Sequence, residues 1–454
     1  MTAATLGFVS PLPPVRSGIA DYSADLLPAL RAQIDLETYV PSEARRAFSS
    51  GHEAVLLQVG NDPLHLPSVE ALRENSRRVP SILVLHDYSL HHLFAAAFLD
   101  TGRVDEYARE LERSHGARGR ALGDRARAGE RVPVWDLAAW EWPMSGGVVG
   151  DASAVIVHSR LVKGALLRER PGTPAFEIPL AVAPAPECGR NEAREALGLP
   201  RDRVVAATLG LVTPAKRIGK LLEGLALLPA ESRPLLVVGG AVPADDPLRA
   251  SVRDLGLEAD VRFTGYLSDV DFWRLARASD VSVNLRFPTV GETSAAVCRL
   301  AGTGLPVVVS DVGWFRELPD RFASKIPVGG GEAEAIAETL GTLAKDEPLR
   351  LARAEAARAW GATRSPARIA SACILRRDNC RRSTASGRWP RIDLQTCSLK
   401  KTPCGATASA IAPRGCSTAP MALSPSPCST MIRGRASTGP ASTGWRSACW
   451  QRCI

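Results

Sequence analysis

The feature that most constrains the fold is a regular alternation of short apolar runs with longer amphipathic segments. Four runs precede residue 160 and four follow residue 200. They are Leu6–Val9, Ala54–Val59, Ser81–Leu85, Ala154–Val157, Val204–Leu209, Pro234–Val238, Val281–Leu285 and Leu305–Val309. Runs of four to six residues that alternate with helices are typical of a parallel sheet covered on both faces. The pattern predicts an α/β chain with doubly wound sheets.

Amphipathic helices are predicted between these runs. Ile19–Leu30 and Lys220–Leu228 place apolar residues three and four positions apart, which is the spacing of one helix face. The Arg-, Glu- and Ala-rich segment 103–131 is also predicted to be helical, with its charges on a solvated face. A proline-rich stretch, Ile178–Pro186, separates two copies of the pattern. This favours two doubly wound domains, and a single large sheet is the alternative.

The last 84 residues differ from the rest of the chain in charge and in cysteine content. Residues 371–454 carry 13 Lys and Arg against two Asp and Glu, which leaves 43 basic and 46 acidic residues in 1–370. Eight of the ten cysteines lie in the same tail. The net charge of +8 therefore belongs to the tail. The body is mildly acidic and poor in cysteine, as expected of a protein kept in a reducing cytosol.

The tail at 371–454 is predicted to be disordered, because Ser, Thr, Pro, Gly and Arg dominate it and no apolar periodicity continues. Its irregularly spaced cysteines, with no histidine beside them, argue against a zinc site. Its composition has two explanations: out-of-frame translation of a G- and C-rich gene, which we favour, or a basic segment that binds nucleic acid nonspecifically. Resequencing tests the first, since a neighbouring frame must then continue the helical pattern past Ala370.

The body shows no targeting or membrane segment. No stretch approaches the ~18 consecutive apolar residues of a membrane span, and no basic stretch precedes an apolar run at the N-terminus, as in a secretory signal. We therefore expect the protein in the cytoplasm, with at most peripheral contact at the inner face of the membrane.

Ligands of open parallel sheets bind beyond the carboxyl ends of the strands, and four loops there carry candidate residues. The first places Gly18 just before a helix, where backbone N–H groups favour an anion. The second begins with His86 and Asp87, a pair suited to orienting or deprotonating a substrate hydroxyl. A histidine packed at a domain interface is the alternative. His91 and His92 follow, but a metal site would need further ligands at matching spacing.

The other two loops lie in the second half of the chain. One carries Lys216 and Arg217 ahead of an amphipathic helix, and two cations beside a helix N-terminus suit a pyrophosphate. The other has the sequence GETS and also leads into a helix. Its Thr293 and Ser294, with the backbone N–H groups that follow, can hold a phosphate. Glu292 can then bond sugar hydroxyls.

In this order the motifs resemble the retaining GT-B glycosyltransferases of family 4, over roughly residues 5–368. SPLPPVRSGIADYS resembles the N-terminal acceptor loop of that family, and QVGNDPLH with LHDYSLHHL resembles one bacterial branch. TPAKRIGKLLEGL resembles the start of the donor domain, and VRFTGYLSDVDFWRLARASDVSVNLR its base-binding region. PTVGETS with GLPVVVSDVGWFRELP resembles the donor loop.

The resemblance implies a GT-B fold of two Rossmann-like domains. It places an acceptor-binding domain at 1–183, a nucleotide-sugar-binding domain at 184–350 and the start of the interdomain helices at 351–370, before the tail. It implies that a sugar passes from a nucleotide-sugar donor to an acceptor hydroxyl with retention of configuration, by same-face attack as the diphosphate leaves. The acceptor is expected to be a glycan, a lipid-linked or a small molecule, as in polysaccharide biosynthesis.

The resemblance also assigns roles to individual residues. Lys216 corresponds to the diphosphate-binding lysine, His86 (oriented by Asp87) to the histidine near the sugar and acceptor, and Glu292 to the acid that contacts the sugar. The residues expected to bind the donor are Gly18, Arg217, Gly265, Tyr266, Arg286, Gly291, Thr293 and Ser294. No cofactor is implied, and the reaction is expected to be metal-independent, because Lys216 and the loop amides stabilise the departing diphosphate.

Two positions depart from the family pattern. Leu211 stands where the family commonly has an arginine beside the lysine, and either Arg217 or Arg286 is the candidate to replace that charge. The second glutamate, which binds the ribose, is missing, since its position falls on Leu300 or Arg299 by two ways of counting. In addition, the final helix of the family crosses back onto the N-terminal domain, and here its pattern is lost after residues 360–370. These differences predict impaired activity and leave a non-catalytic nucleotide-sugar binder as the alternative to an enzyme.

Overall fold

A computed structural model describes residues 5–76, 78–130 and 132–374. From residue 375 on, the predicted tail lies outside the described residues. Its disorder and both explanations of its composition therefore stay predictions.

Six parallel strands form the first sheet. They are β1 (Thr5–Val9), β2 (Asp35–Tyr39), β3 (Ala54–Val59), β4 (Ser81–Leu85), β5 (Ala154–Val157) and β6 (Ala175–Glu177). Their order in space is β2-β1-β3-β4-β5-β6. The chain reverses its direction of winding between β1 and β3, and such a switch point opens a crevice at the carboxyl ends of the strands.

A second sheet of six parallel strands follows. They are β7 (Val205–Leu209), β8 (Leu235–Gly239), β9 (Val261–Gly265), β10 (Val281–Asn284), β11 (Val307–Ser310) and β12 (Ala323–Ile326). Their order is β12-β11-β10-β7-β8-β9, so the switch point lies between β7 and β10. The two separate sheets confirm the doubly wound α/β fold and show that the single-sheet alternative is wrong.

Helices connect the strands of both sheets. In the first half they are α1 (Gly18–Arg31), α2 (Ala44–Ser49), α3 (Leu66–Asn75), α4 (His91–Phe94), α5 (Val104–Arg127), α6 (Val134–Leu137), α7 (Ser145–Val149) and α8 (Arg160–Glu169). In the second half they are α9 (Arg190–Ala196), α10 (Ile218–Ala226), α11 (Pro247–Asp254), α12 (Asp269–Ala278), α13 (Ala295–Gly302), α14 (Glu332–Lys345), α15 (Glu347–Ala362) and α16 (366–374). Single 3-10 or π turns lie at Pro41–Glu43, Pro63–His65, Ala95–Leu99, Pro214–Lys216, Ala230–Ser232 and Gly313–Glu317.

All eight predicted runs form strands, within two residues of their predicted bounds. The sequence pattern missed β2, β6, β9 and β12, and each of these is the outermost strand of its sheet. An edge strand has a more exposed surface and a polar composition, as in the DLETY of β2. Such strands lack the continuous apolar run by which central strands are recognised.

One apolar cluster joins the two halves of the chain. Phe8 and Tyr22 of the first half pack in the same buried cluster as Cys298, Phe315 and other residues of the second half. A large shared core of this kind holds the two sheets as one compact body.

The end of the described chain belongs to that cluster. The backbone N–H of Val182 donates to the carbonyl of Arg364 at 2.8 Å. In α16 the Ser371 hydroxyl bonds Gln33 at the end of the first helix, with 2.8 Å between oxygens, and Cys373 is buried. The helix thus crosses back to the first half, and it runs four residues beyond the point at which the tail was predicted to begin.

None of the helices within the described residues has the length and apolar character needed to cross a bilayer.

Candidate active site

The loops at the carboxyl ends of the two sheets meet each other. The backbone N–H of Ser89, after β4, donates to the carbonyl of Val290, after β10, at 2.9 Å. Gly291 packs so closely on Tyr88 that a Cβ at this glycine would lie 2.4 Å from the Tyr88 Cβ, and its φ of 82° also favours glycine. The loop after β4 and the loop after β10, identified separately in the sequence, are therefore in direct contact.

At the first sheet, His86 lies within a group of uncharged polar side chains. The Nε2 atom of its ring is 2.6 Å from the Oε1 atom of Gln58 near the end of β3. The ring of His158, directly after β5, lies 4.9 Å from the His86 ring, and the ring of Tyr22 lies 5.3 Å away, edge-on. The positions of His158 and Gln58 on either side of His86 follow from the strand order, since β4 lies between β3 and β5 in the sheet.

These histidines are neutral at physiological pH. The pKa of His86 lies well below the usual value because the ring is buried and faces His158 and His65. Burial lowers the pKa of His158 and of His65 to about 4. A neutral imidazole has one N–H donor and one acceptor nitrogen, so each ring can recognise a hydroxyl group without a net charge.

Asp87 occupies the boundary between the two loops. Its Oδ2 atom accepts a hydrogen bond of 2.7 Å from the backbone N–H of Asn61. The pKa of Asp87 is raised to about 7, because burial and the negative charge of Glu292 outweigh the opposing effects of the Asn61 hydrogen bond and Arg286. At neutral pH this carboxyl group is therefore poised between its protonated and ionised forms.

His91 and His92 are not placed as metal ligands. Both ring nitrogens of His91 are hydrogen-bonded, one to the Trp142 carbonyl and one to the Tyr107 hydroxyl, each at 2.6 Å. Among the described residues, no group of three or more His, Cys, Asp or Glu side chains is arranged to hold a metal ion.

At the second sheet, Lys216 is a buried cation without a carboxylate partner among the described residues. Its ammonium group donates to the Leu209 carbonyl at 2.5 Å, and it is 8% exposed. Burial, together with the nearby charge of Arg286, lowers the pKa of Lys216 to about 7. Gly210 leaves room for the ammonium group, since a Cβ there would lie 3.2 Å from Nζ.

The two candidate arginines have different environments. Arg286 follows β10, which pairs with β7. The backbone N–H of Phe287, the next residue, donates to the Ala215 carbonyl at 2.8 Å. This places Arg286 beside Lys216, across the switch point. Its Nε atom lies 3.1 Å from Glu292 but forms no hydrogen bond of good geometry.

Arg217 instead turns away to α14. Its guanidinium forms a two-point ion pair with Glu332, with one N–O distance of 2.7 Å. Glu332 is only 1% exposed, and its charge is compensated by Arg217 within the second half of the chain. Arg217 therefore lacks a free charge with which to replace the arginine missing at position 211.

Glu292 holds the donor loop in shape. Its Oε2 atom accepts hydrogen bonds from the Thr289 hydroxyl at 2.7 Å and from the Val290 N–H at 2.9 Å. Ser294 caps α13, because its hydroxyl accepts from the Val297 N–H at 3.3 Å, while Thr293 is partly exposed beside it. The contact between Glu292 and Arg286 thus brings Arg286 close to the loop that leads into α13.

The remaining predicted residues, Gly18, Gly265 and Tyr266, lie in loops or at the ends of elements. Gly18 begins α1, and a Cβ at this position would meet no atom within 4 Å, so the site does not require glycine for space. Gly265 ends β9 with a φ of 76°, and Tyr266 after it is 63% exposed. The guanidinium of Arg16, in the loop after β1, lies 4.6 Å from the Tyr266 ring and spans the two halves.

The two departures from the family pattern have structural counterparts. Leu211 is 75% exposed and makes no charged contact with the site. Arg299, near the position of the missing glutamate, forms an ion pair of 2.7 Å with Asp25 on α1, and Leu300 is buried in the core. The Arg299–Asp25 pair is thus a charged contact between the two halves of the chain.

Sequence reasoning missed Gln58, His65, His158 and Arg16. Gln58 carried the one available signal, since it is the only polar residue within the run AVLLQV. His158 ends an apolar run in the same way as His86, but its neighbour in space could not be identified before the strand order was known.

In the comparison with known proteins, the match to a family model lies in the second half of the chain. The family model described as Glycosyl transferases group 1 matches residues 189–360. This segment holds all of β7 to β12 and, with them, Lys216, Arg286 and Glu292.

Curated relatives align over shorter segments. The D-inositol 3-phosphate glycosyltransferase of Corynebacterium urealyticum is 28% identical over 192 residues, which are 40% of this chain and 44% of the relative. The protein of the same name from Mycobacterium bovis is 34% identical over 129 residues, 27% of this chain and 26% of the relative. The chain thus spans less than half the length of the curated relatives it matches.

Solved structures are similar over both halves. A structure of Anabaena HepE in complex with UDP and glucose has a TM-score of 0.54 and 15% identity, and it covers 83% of this chain and 99% of that one. The sucrose-phosphate synthase of Thermosynechococcus elongatus has a TM-score of 0.59 and 15% identity, and it covers 82% and 98%. At these identities the similarity shows the fold, which is GT-B-like.

Proposed function

We propose that this chain is a retaining glycosyltransferase that moves a sugar from a nucleotide-sugar donor to an acceptor hydroxyl. The observation that carries the proposal is the pair of cations on either side of the second switch point. Lys216 is buried without a carboxylate, and Arg286 keeps an Nε atom without a hydrogen bond. Two cations next to the N-terminus of α13 form a site for a diphosphate.

In the reaction, the charge that develops on the leaving diphosphate is stabilised by Lys216, by Arg286 and by the amides at the start of α13. An anion beside Lys216 raises the pKa of its ammonium group from the low value that burial produces, so binding of the donor fixes the lysine in its charged form. These groups are in place before the donor arrives, and little reorganisation accompanies bond cleavage.

The first sheet supplies the groups that face the sugar and the acceptor. His86, neutral and fixed by Gln58, recognises a hydroxyl group, and Asp87 lies between it and Glu292. The acceptor oxygen attacks from the face that the diphosphate leaves, which retains the configuration of the sugar. In this step the C–O bond to the diphosphate breaks, a C–O bond to the acceptor forms, and the acceptor proton passes to the diphosphate.

Of the two candidate arginines, the contacts favour Arg286 as the replacement for the charge missing at Leu211. Arg286 adjoins Lys216, whereas Arg217 already compensates the buried Glu332. The donor loop keeps Arg286 in position through Glu292.

A screen of nucleotides by thermal unfolding tests donor binding. UDP is the first ligand to try, because Anabaena HepE was solved with UDP and glucose. We expect one nucleotide and its sugar conjugates to raise the melting temperature, since a ligand at about 100 times its Kd stabilises the folded state by about 2.7 kcal/mol. A panel of uridine, guanosine and adenosine diphosphates at millimolar concentration that leaves the melting temperature unchanged would refute the proposal.

Transfer itself is tested with the donor found in that screen and the Glu292→Ala variant. Loss of Glu292 frees Arg286 and the loop backbone, and we expect turnover to fall about 100-fold. Glu334→Ala, an exposed position on α14, is the control. Turnover of the Glu292→Ala protein at the wild-type rate would remove the role given to this residue.

A non-catalytic nucleotide-sugar binder is the second candidate, and the observation that favours it is the Asp25–Arg299 pair near the expected ribose site. It predicts a thermal shift with no release of nucleotide from the sugar conjugate in the presence or absence of acceptors. Release of free nucleotide over hours excludes it.

A further inference from the structure

Gln58 is an unusual residue for its position. It lies in the buried strand β3 and is 1% exposed, while the other residues of that strand are apolar. Burial of an amide side chain is costly unless its polar atoms are hydrogen-bonded. A glutamine at this position therefore needs a hydrogen-bond partner, whereas a leucine would be buried there without one.

The side-chain partner of Gln58 is a histidine. Its Oε1 atom lies 2.6 Å from Nε2 of His86, and the ring of a second histidine, His65, lies near its backbone. The first contact joins the ends of two adjacent strands, β3 and β4, in whose register Gln58 faces Val84. Both ends of the contact are thus fixed by the sheet.

The chemistry of the amide decides which nitrogen of His86 carries the proton. An amide oxygen can only accept a hydrogen bond, so Nε2 of His86 must donate. In a neutral imidazole the other nitrogen, Nδ1, then holds a free electron pair. A carboxylate in place of the amide would fix the same tautomer but would favour the charged ring.

We propose that Gln58 is a positioning residue that holds His86 as the Nε2–H tautomer, so that Nδ1 accepts a hydrogen bond from a substrate hydroxyl. The tautomer follows from the contact itself, and its consequence for sugar transfer rests on the proposed function. Gln58 acts through His86 and touches no reacting atom.

The surroundings of His86 favour a neutral ring over a charged one. The titratable groups that face it are His65, ahead of α3, His158, after β5, and Tyr22 on α1, and Asp87 follows it in the chain. Among the described residues no carboxylate is hydrogen-bonded to the His86 ring. An amide partner is therefore consistent with a site in which the imidazole must stay neutral.

The tautomer can be measured without any substrate. In 15N-labelled full-length protein, the two ring nitrogens of a neutral histidine have separate resonances, and their couplings to the ring protons show which one is protonated. His86→Gln identifies the resonances of His86. We expect Nε2 to be protonated in the wild type, and protonation of Nδ1 would overturn the proposal.

Three variants separate positioning from a merely structural role. Gln58→Leu, of similar size, should release the tautomer preference and lower kcat about tenfold or more while KM changes little, as when a partner that fixes a histidine tautomer is removed. Gln58→Glu should keep the tautomer and raise the pKa of His86, so that the acid limb of the activity profile moves up by about one pH unit or more. Ser81→Ala, a buried polar position at the opposite end of β4, should leave both tautomer and kcat unchanged.

The outcomes distinguish this inference from the proposed function. An unchanged tautomer and kcat in Gln58→Leu, or an unmoved pH profile in Gln58→Glu, would contradict it. If Gln58→Leu does not fold, the tautomer of the wild type and the pH profile of Gln58→Glu still decide. If no donor is ever consumed, the proposed function fails, while the nuclear resonance data continue to test the tautomer.

Discussion

The carboxyl edges of the two sheets have the same architecture but different electrostatics. The first edge presents neutral groups, Gln58, His86 and His158, and one carboxyl group with a pKa near 7. The second edge presents Lys216 and Arg286 at the start of a helix. Parallel sheets provide equivalent crevices at their switch points. The side chains placed there determine whether a crevice suits hydroxyl groups or an anion.

This contrast divides the proposed reaction between the two halves. A neutral, hydrogen-bonding edge suits sugar and acceptor hydroxyls. A fixed charge there would interact with the charge that develops in the transition state and would disturb its stabilisation by the second edge. A cationic edge suits a diphosphate, whose charge grows as the bond breaks.

Removal of the lysine should have the largest effect. Lys216→Ala takes away a buried cation from the second edge, and we expect kcat/KM for the nucleotide sugar to fall about 100- to 1,000-fold, as when one donor to a developing anion is removed. Lys220→Ala is the matched control, because this lysine lies on α10 but is paired with Glu223 at the surface. A Lys216→Ala protein with near wild-type kinetics would show that the second edge does not hold the diphosphate.

The two arginines should give opposite phenotypes. Arg286→Ala should weaken nucleotide binding about 30- to 100-fold, from the loss of charge-assisted hydrogen bonds, with little effect on stability. Arg217→Ala should leave nucleotide affinity almost unchanged but lower the free energy of unfolding by about 3 kcal/mol, because the buried Glu332 loses its partner. Titration calorimetry and urea unfolding of both variants measure the two effects. The reverse result would identify Arg217 as the replacement for the missing arginine.

The acid of the first edge should make stability depend on pH. A carboxyl group with a folded-state pKa of about 7 and a usual value of 3.8 binds its proton more tightly in the folded chain. Its stabilising effect is complete below about pH 4 and is lost as the pH rises through about 7. Relative to Asp87→Asn, the wild type should therefore lose about 2.5 kcal/mol of unfolding free energy between pH 5 and pH 8.

Urea unfolding of the two proteins at both pH values provides the measurement, with the exposed Asp100→Asn as a control. If Asp87→Asn and the wild type respond equally to pH, the carboxyl group is fully ionised throughout. The first edge would then carry a permanent negative charge and would not be the neutral edge of the molecule.

The strand pattern predicted the central part of each sheet and failed at its borders. Central strands are buried on both faces and read as continuous apolar runs, whereas β2 and β9 have a partly polar surface at the sheet edge. The same reasoning explains which site residues could be predicted from the sequence. His86 and Lys216 follow central strands and were identified, but the choice between Arg217 and Arg286 needed the pairing of β10 with β7. That pairing joins residues far apart in sequence, and nothing in the local pattern specifies it.

The smallest predicted effect concerns the ion pair between Asp25 and Arg299. Asp25 and Arg299 are 28% and 17% exposed, so water screens their attraction, and the coupling between them should be about 0.5–1 kcal/mol. A double-mutant cycle of Asp25→Asn and Arg299→Gln measures it by urea unfolding, and 1 M salt should reduce it. Because the pair joins the two halves outside the cationic edge, the coupling should be the same with and without bound nucleotide. A coupling that disappears when nucleotide binds would instead mean that Arg299 leaves Asp25 for the ligand, and ribose recognition would then belong to this arginine.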